Sequence, residues 1–393
     1  MTMRVFVPSK GLLAALLLLL AAGCNFPGAA PSASPAPGGS ATPAVAQPAA
    51  TPTPAGPALL PHALYFFSEH SGNQQVWRLE RDGVSQQQVT REVGEVLAFD
   101  VSRVDGSVAF IVDNQLYIVD ADGNNRRLMV DNGAADAQAA DYFFTQRISD
   151  PLFSPDGRYL AFAFNGLWIV DLSTNQAINL LENQTDEDGE IYYAPLAWAP
   201  NSQQMLLSLG GAEASTLAFM DPGAEQLVIE VENGAGLVCC QAAWVLDSSS
   251  VLVASPYLGL IEPGLWRYDA RTGAASRLLE SQADGLFQFA GWPLQLADGS
   301  LQYFFASAAE VPEGDAPLYM VHSAADGVGG RIQLRGDAFS NIGEVLWAED
   351  GSLALVVQRR PDGVAGGSVL AAFSDGRQLQ LLLDAAHQLH WGP

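Results

Sequence analysis

Hydrophobic and polar positions repeat along the chain, from Leu64 to the C-terminus, as short apolar runs separated by tight polar turns. One unit is an apolar strand that ends in an aromatic residue, a turn that often contains Asp-Gly or Ser, and a second apolar strand. The sharpest copy is PLFSPDGRYLAFAF at 151–164. Because Pro fixes one backbone angle and Gly accepts positive φ, Pro-Asp-Gly predicts a tight turn. The pattern therefore predicts an all-β fold built from hairpins.

The aromatic residues that end the first strand of each unit are regularly placed, with successive members 44 to 55 residues apart. They are Phe99, Phe153, Trp198, Trp244, Trp292, Trp347 and Trp391. A third strand often ends in Asp, as in LYIVD from Leu116 and LWIVD from Leu167, and a further turn leads to a fourth strand. Four short strands per unit of this length are typical of β-propeller blades.

The two ends of the repeat region complement each other. The segment 387–393, HQLHWGP, supplies only a first strand, whereas 63–83 begins at a second strand. We therefore expect a composite blade that, with six continuous blades, makes seven four-stranded blades closed by pairing of the N- and C-terminal strands. Six or eight blades stay open as alternatives, because the pattern does not assign the loops at 132–147 and 306–317.

These repeats resemble those of the TolB-like and WD-repeat propeller superfamily, whose units often read x-W-S-P-D-G. The resemblance covers about 64–393 and is clearest at 148–171. It implies a rigid scaffold that serves many functions. TolB-like relatives act as platforms for protein interactions, and some related propellers are lyases that use His and a metal ion.

The N-terminus has the three parts of a secretory signal. Arg4 and Lys10 precede a run of Leu and Ala from Gly11 to Ala22, which is shorter than the roughly 20 residues that span a bilayer. The sequence LAAGC at 20–24 resembles the bacterial lipobox, which implies cleavage after residue 23 and lipidation of Cys24. The expected organisation is a signal peptide at 1–23, a lipidated linker at 24–61 and a propeller at 62–393.

The linker contains Pro, Ala, Ser, Thr and Gly but no charged residue, so it cannot bury a core and acts as a tether. The expected location is therefore the cell envelope, with the chain anchored to the membrane through Cys24 and facing outside the cytoplasm. The leaflet is not fixed by the sequence.

The charge balance excludes several function classes. The chain has 18 basic and 43 acidic residues and a net charge of −25, which disfavours nucleic acid as a partner. Lys10 is the only lysine and lies in the signal, so a Schiff-base lysine is excluded from the mature protein. We expect a soluble, self-repelling monomer that uses no cofactor.

Aromatic residues and cysteines precede several predicted first strands. In propellers of this kind the start of the first strand and the loop between the second and third strands share the face that usually holds ligands. The candidate binding face therefore comprises Tyr142, Phe143, Tyr192, Tyr193, Cys239, Cys240, Phe287 and Phe289. The alternative is that the rings pack between blades. Adjacent Cys239 and Cys240 form either a strained disulfide or two reduced, buried thiols.

No residue pattern marks a catalytic or metal centre. The acidic loop at 183–193 and the turn at Asp120–Asn124 hold carboxylates without a full set of calcium ligands. His387 and His390, three apart on a predicted strand, should point to opposite faces of the sheet. No Gly-x-Ser-x-Gly motif is present.

We therefore expect a non-enzymatic protein that binds an envelope or surface partner. The alternatives are an enzyme, a lyase or hydrolase acting on polysaccharide or peptide in the channel, and a domain that binds or senses a small ligand.

Overall fold

The structure is a computed structural model that describes residues 58–132, 145–186, 189–210, 215–221, 228–231, 242–256, 264–312 and 315–393. These residues belong to one compact unit, which spans Pro54–Pro393. The regular elements are antiparallel β-strands, as the apolar runs and hairpin turns predict. Across the described ranges, no helix is long and apolar enough to cross a membrane.

The N-terminal part of the fold contributes eleven strands. The first three are β1 (Leu64–Ser68), β2 (Gln75–Leu79) and β3 (Gln86–Gln88). One four-stranded sheet follows as β4 (Ala98–Val101), β5 (Val108–Val112), β6 (Gln115–Val119) and β7 (Arg127–Asp131). The next sheet is β8 (Ser149–Phe153), β9 (Tyr159–Ala163), β10 (Gly166–Asp171) and β11 (Gln176–Glu182).

Three further sheets follow in chain order. One contains β12 (Gln184–Asp186), β13 (Gly189–Trp198), β14 (Met205–Gly210), β15 (Ser215–Met220) and β16 (Val228–Glu230). The next contains β17 (Ala243–Trp244), β18 (Ser250–Ser255), β19 (Gly264–Asp269) and β20 (Ala275–Leu279). The third contains β21 (Gln282–Ala283), β22 (Leu286–Gln295), β23 (Leu301–Ala308), β24 (Tyr319–Ser323) and β25 (Ile332–Gln333).

The last strands join the first ones in a single sheet. They are β26 (Ile342–Trp347), β27 (Leu353–Arg359), β28 (Gly367–Phe373) and β29 (Gln380–Trp391), and the strand order is β26-β27-β28-β29-β1-β2-β3. The early part of β29 pairs with β28, and its last five residues pair with β1, with Leu64 opposite Trp391 and Phe67 opposite His387. One long strand therefore connects the two ends of the described fold.

The hydrophobic core is divided into clusters that lie between neighbouring sheets. Phe67 of β1 and Phe99 of β4 pack edge to face with their ring centroids 4.6 Å apart, inside one such cluster. Another cluster contains Ile111, Phe153 and Phe162, and it joins the sheet of β4–β7 to the sheet of β8–β11. Burial of apolar area between consecutive sheets is thus the main force that stacks them side by side.

The tryptophans that end the first strands also bond to the preceding sheet. The indole N–H of Trp391 donates to the carbonyl of Trp347 at 2.7 Å, and that of Trp347 donates to the carbonyl of Trp292 at 2.9 Å. Trp244 and Trp198 donate to the first strands of their preceding sheets at 3.3 and 3.2 Å. Each of these tryptophans therefore contributes its ring to the core and donates a hydrogen bond to a carbonyl of the preceding sheet.

The described chain begins against one end of β1. Leu60 is buried, and the N–H groups of Leu59 and Leu60 donate to the carbonyl of Arg81 at 2.7 and 3.0 Å. Both leucines, which the sequence analysis assigns to the linker, thus pack with the domain.

Replacing Trp391 by Phe should lower the free energy of unfolding by about 1–3 kcal/mol, because the partly buried carbonyl of Trp347 loses its donor. Urea unfolding followed by circular dichroism measures the effect. Trp292→Phe is the matched control, since Trp292 is also buried and its indole makes no hydrogen bond to another described residue. Equal losses in both variants would show that ring volume, not the indole bond, provides the stabilisation.

Candidate functional site

A cavity of about 550 Å³ opens beside the last sheet, where β29 passes from β28 to β1. Its lining comes from the start of β26, the end of β27, the loop that leads to β28, and β29. The lining residues are Gly343, Glu344, Val357, Arg359, Arg360, Gly363, Val364, Ala365, Gly366, His387 and Gln388. The cavity therefore lies where the sequence analysis expects ligands, at the start of first strands and beside a loop between second and third strands.

The floor of the cavity contains Glu344, a partly buried carboxyl group on β26. One of its oxygens accepts the backbone N–H of Leu389 on β29 at 2.7 Å. Burial raises the pKa of Glu344 above its ordinary 4.5, although this hydrogen bond and the nearby His390 act in the opposite direction. Burial also lowers the pKa of His387 below 6.5, against the pull of Glu69. In both groups burial therefore shifts the protonation equilibrium toward the uncharged form relative to the same group in water.

Polar side chains next to the cavity bond across several sheets. The amide of Gln388 donates to the carbonyl of Phe99 at 2.9 Å, and the Nδ1 atom of His390 lies 2.9 Å from a carboxylate oxygen of Asp100. The other oxygen of Asp100 accepts the N–H of Phe153 at 2.6 Å. These contacts tie β29 to β4 and β4 to β8, and they hold the cavity wall in place.

His387 and His390 lie on the same side of β29, so the prediction of opposite faces is wrong. His390 pairs with Tyr65 and His387 pairs with Phe67, which leaves one extra residue on β29 between them. Gln388 adopts a φ of 51° at this irregularity. A β-bulge of this kind reverses the alternation of side chains, and the sequence contains no glycine that could have indicated it.

Two arginines form the rim of the cavity, and both face carboxylates. Arg360 lies 2.8 Å from Asp362 in the same loop. Arg359 lies 3.9 Å from Asp315, which precedes β24. Their charges are therefore compensated by neighbouring acids, with the exposed pair at Arg360 contributing little to stability.

The candidate binding face of the sequence analysis is described only in part. Tyr193 and Phe289 are buried in the core clusters of their sheets, while Tyr192 and Phe287 are partly buried. Burial raises the pKa of the Tyr193 hydroxyl. Tyr142, Phe143, Cys239 and Cys240 lie outside the described residues, as does Cys24. For Tyr193 and Phe289, packing accounts for the position of the ring.

The two acidic segments take part in local turns. The segment at 183–193 holds the hairpin of β12 and β13, with residues 187–188 outside the described part. Asp120 accepts the N–H of Asn124 at 2.7 Å and the side-chain amide of Asn125 at 2.8 Å, as in a side-chain-stabilised turn. Over the described ranges, no group of three or more His, Cys, Asp or Glu side chains is placed to hold a metal ion.

The sequence analysis did not identify the cavity residues. One signal was available, because two of the few arginines are adjacent in a glycine-rich loop, RRPDGVAGG at 359–367. Glu344 gave no signal of its own, since a single Glu at the start of a strand resembles any solvent-exposed acid.

No protein-family model matches the sequence, and no curated protein does. Solved structures do match. An oligogalacturonate lyase in complex with manganese superimposes with a TM-score of 0.52 at 11% identity, over 81% of this chain and 84% of that one. The fold is a β-propeller. The propeller prediction is thus confirmed at the level of fold, and at this identity the likeness shows nothing more.

Two further solved structures also match this chain. A puromycin-hydrolyzing peptidase of Mycobacterium tuberculosis has a TM-score of 0.53 at 15% identity, and the match covers 85% of this chain but only 55% of the peptidase. TolB from Acinetobacter baumannii matches at 17% identity with a TM-score of 0.44, over 80% of this chain and 76% of that one. The matches with a TM-score above 0.5 thus include a lyase and a peptidase, and they show the fold alone.

Replacing Glu344 by Gln should raise the stability of the protein at high pH relative to low pH. The pKa of Glu344 is higher in the folded state than in the unfolded one, so its stabilising contribution is present at low pH and is lost as pH rises through the folded pKa. The Gln side chain keeps an acceptor for Leu389 and removes this loss.

The measurement is the urea midpoint of both proteins between about pH 5 and pH 8. Glu349→Gln, at an exposed residue that pairs with Arg103 at 3.5 Å, controls for the removal of one negative charge. A constant difference between the wild-type protein and Glu344→Gln across this range would contradict the raised pKa.

Proposed function

We propose that this protein is a lipid-anchored binding protein of the bacterial envelope, in which a propeller holds a protein partner at the face that carries the cavity. The observation that carries the proposal is the relation between the tether and the cavity. The chain enters at the end of β1 where Leu64 pairs with Trp391, whereas the cavity lies at the other end, where Phe67 pairs with His387. The cavity therefore lies at the opposite end of β1 from the point where the proposed tether joins the fold.

The alternation of strand direction supports this assignment of faces. Because neighbouring strands are antiparallel, turns between third and fourth strands lie on the face of chain entry, next to Leu60 and Arg81. Loops between second and third strands, such as the one at 360–366, lie on the opposite face. These loops are therefore on the face away from the point of chain entry, where a partner can bind without contacting the proposed tether.

We also propose that the sheets form seven four-stranded blades. The seven-stranded sheet divides naturally at β29, because its early part completes β26, β27 and β28 and its end completes β1, β2 and β3. The short strands β12 and β21 are then hairpin additions to two of the blades. This division supports a ring closed by the two terminal segments.

The binding reading is preferred to an enzymatic one because the acids near the cavity have structural partners. Asp100 bonds to His390 and to the backbone of β8, and Glu344 bonds to the backbone of β29. A general acid or base must keep its proton-transfer atom available to substrate. The occurrence of similar folds in a lyase and a peptidase supports the enzymatic alternative.

A photo-cross-linking amino acid at position 364 should capture the partner in living cells, and the same residue at position 328 should not. Val364 lies in the cavity loop and Val328 in a turn on the face of chain entry, and their exposed fractions are nearly equal, 49% and 50%. The products are compared by mass spectrometry in the full-length chain. Capture from position 328 alone would place the partner on the face of chain entry. Equal capture from both positions would show that neither face is preferred, and either result contradicts the proposal.

Replacing Cys24 by Ser should release the protein from the membrane fraction, because acyl chains stabilise membrane binding by about 0.8 kcal/mol per buried methylene. Fractionation after labelling with an alkyne fatty acid measures both lipidation and location. Cys239→Ser with Cys240→Ser is the control that keeps Cys24. Membrane association and labelling that persist in Cys24→Ser would refute the anchor.

A further inference from the structure

The cavity contains a carboxyl group that has no cationic partner. Glu344 accepts a backbone hydrogen bond from Leu389, and no arginine or histidine of the described residues lies within salt-bridge distance of it. His390 also acts on Glu344 when it is protonated, but His390 is itself bonded to Asp100. A partly buried carboxylate without a counter-ion is destabilised relative to one in water, and a ligand that supplies positive charge offsets part of that cost.

The rim does not repel a cation. Arg359 and Arg360 each face a carboxylate, and a further acid, Glu69, acts on His387. Acidic side chains therefore outnumber the arginines in and around the cavity. The net charge of −25 adds a long-range attraction for cations.

One part of the cavity wall is apolar and suits an aliphatic stem. Val357, Val364 and Ala365 line the cavity together with the glycines of the loop. Lysine and arginine side chains pack their methylene groups on such surfaces while the charged end finds a polar partner. The volume of about 550 Å³ exceeds what one such side chain needs and also admits the neighbouring residues of a peptide.

We propose that this cavity is a receptor for a cationic side chain, a lysine or arginine of the bound partner, with Glu344 as its counter-ion. This inference rests on the proposed function, since it assigns the chemistry that the partner presents to the same face. An anionic ligand is disfavoured, because Arg359 and Arg360 already face Asp315 and Asp362 and because an anion would meet the uncompensated Glu344. The bound cation touches β26 and β29 together, so binding also stabilises the junction between them.

The test is isothermal titration calorimetry on the full-length lipidated chain in detergent. The probe is N-acetyl-L-arginine N-methylamide, and the control ligand is the citrulline analogue, which has nearly the same shape but no charge. The expected result is binding of the arginine probe about tenfold or more tighter than that of the citrulline probe. Equal affinity for the two, or no binding of either, overturns the proposal.

Two variants locate the binding site. Glu344→Gln keeps the acceptor for Leu389 and should weaken binding of the arginine probe about tenfold or more, whereas Glu349→Gln should leave it unchanged. Ala365→Trp, at an exposed rim position, should block the cavity while Glu344 stays in place. Unchanged binding in both Glu344→Gln and Ala365→Trp shows that the cation binds elsewhere and overturns the proposal.

The cross-linking experiment separates this inference from the proposed function. Capture of a protein at position 364 without binding of the arginine probe rejects the cation receptor alone. Binding of the probe that depends on Glu344, without capture of a protein, rejects the protein partner and keeps the cation site.

Discussion

The pairing of β1 with the end of β29 is the contact on which the rest of the structure depends. It joins residues 320 to 327 positions apart in the chain, with Leu64 opposite Trp391 and Phe67 opposite His387. Without it, both strands would expose an edge of unpaired backbone groups that could pair with other chains. The pairing also places Leu389 against Glu344 and Gln388 against Phe99, so the cavity exists only where these two ends meet.

Two kinds of contact support this junction. Indole N–H groups of the repeated tryptophans donate to carbonyls of the preceding first strand, and Asp100, Gln388 and His390 connect first strands by side-chain bonds. Apolar packing stacks the sheets but does not fix their register, whereas directional hydrogen bonds do. The candidate site therefore uses groups that also hold the architecture, and substitutions there change binding and stability together.

The sequence predicts the strands and the fold because their signals are local. The aromatics of the first strands recur at regular spacing, and all but Trp391 lie in a strand that forms a hairpin with the next one. Phe99 and Trp292 lie inside β4 and β22, whereas the sequence pattern places them at strand ends. The hairpin of β21 and β22 was missed, although Asp284-Gly285 supplies the two positive φ angles, 52° and 79°, that a tight hairpin needs. An alternating apolar pattern is recognisable only over several residues, and β21 has only two.

The cavity could not be predicted from the sequence in the same way. Its residues come from β26, β27, the 360–366 loop and β29, and they meet only after the last sheet has formed. The bulge at Gln388 also places His387 and His390 on one side of β29, against the simple alternation of a strand. A bulge depends on tertiary packing, so period and composition do not reveal it.

We propose that the partner binds the face with the cavity, opposite the point of chain entry. Hydrogen–deuterium exchange of the full-length chain tests this proposal, measured in the membrane fraction of cells that produce it and again after extraction into detergent. We expect amide exchange at 360–366 and 384–388 to be slower in the membranes than in detergent. Exchange at 80–85 and 323–331 should be the same in both. Protection confined to the turns at 80–85 and 323–331 would contradict it, because the partner would then occupy the face next to the tether.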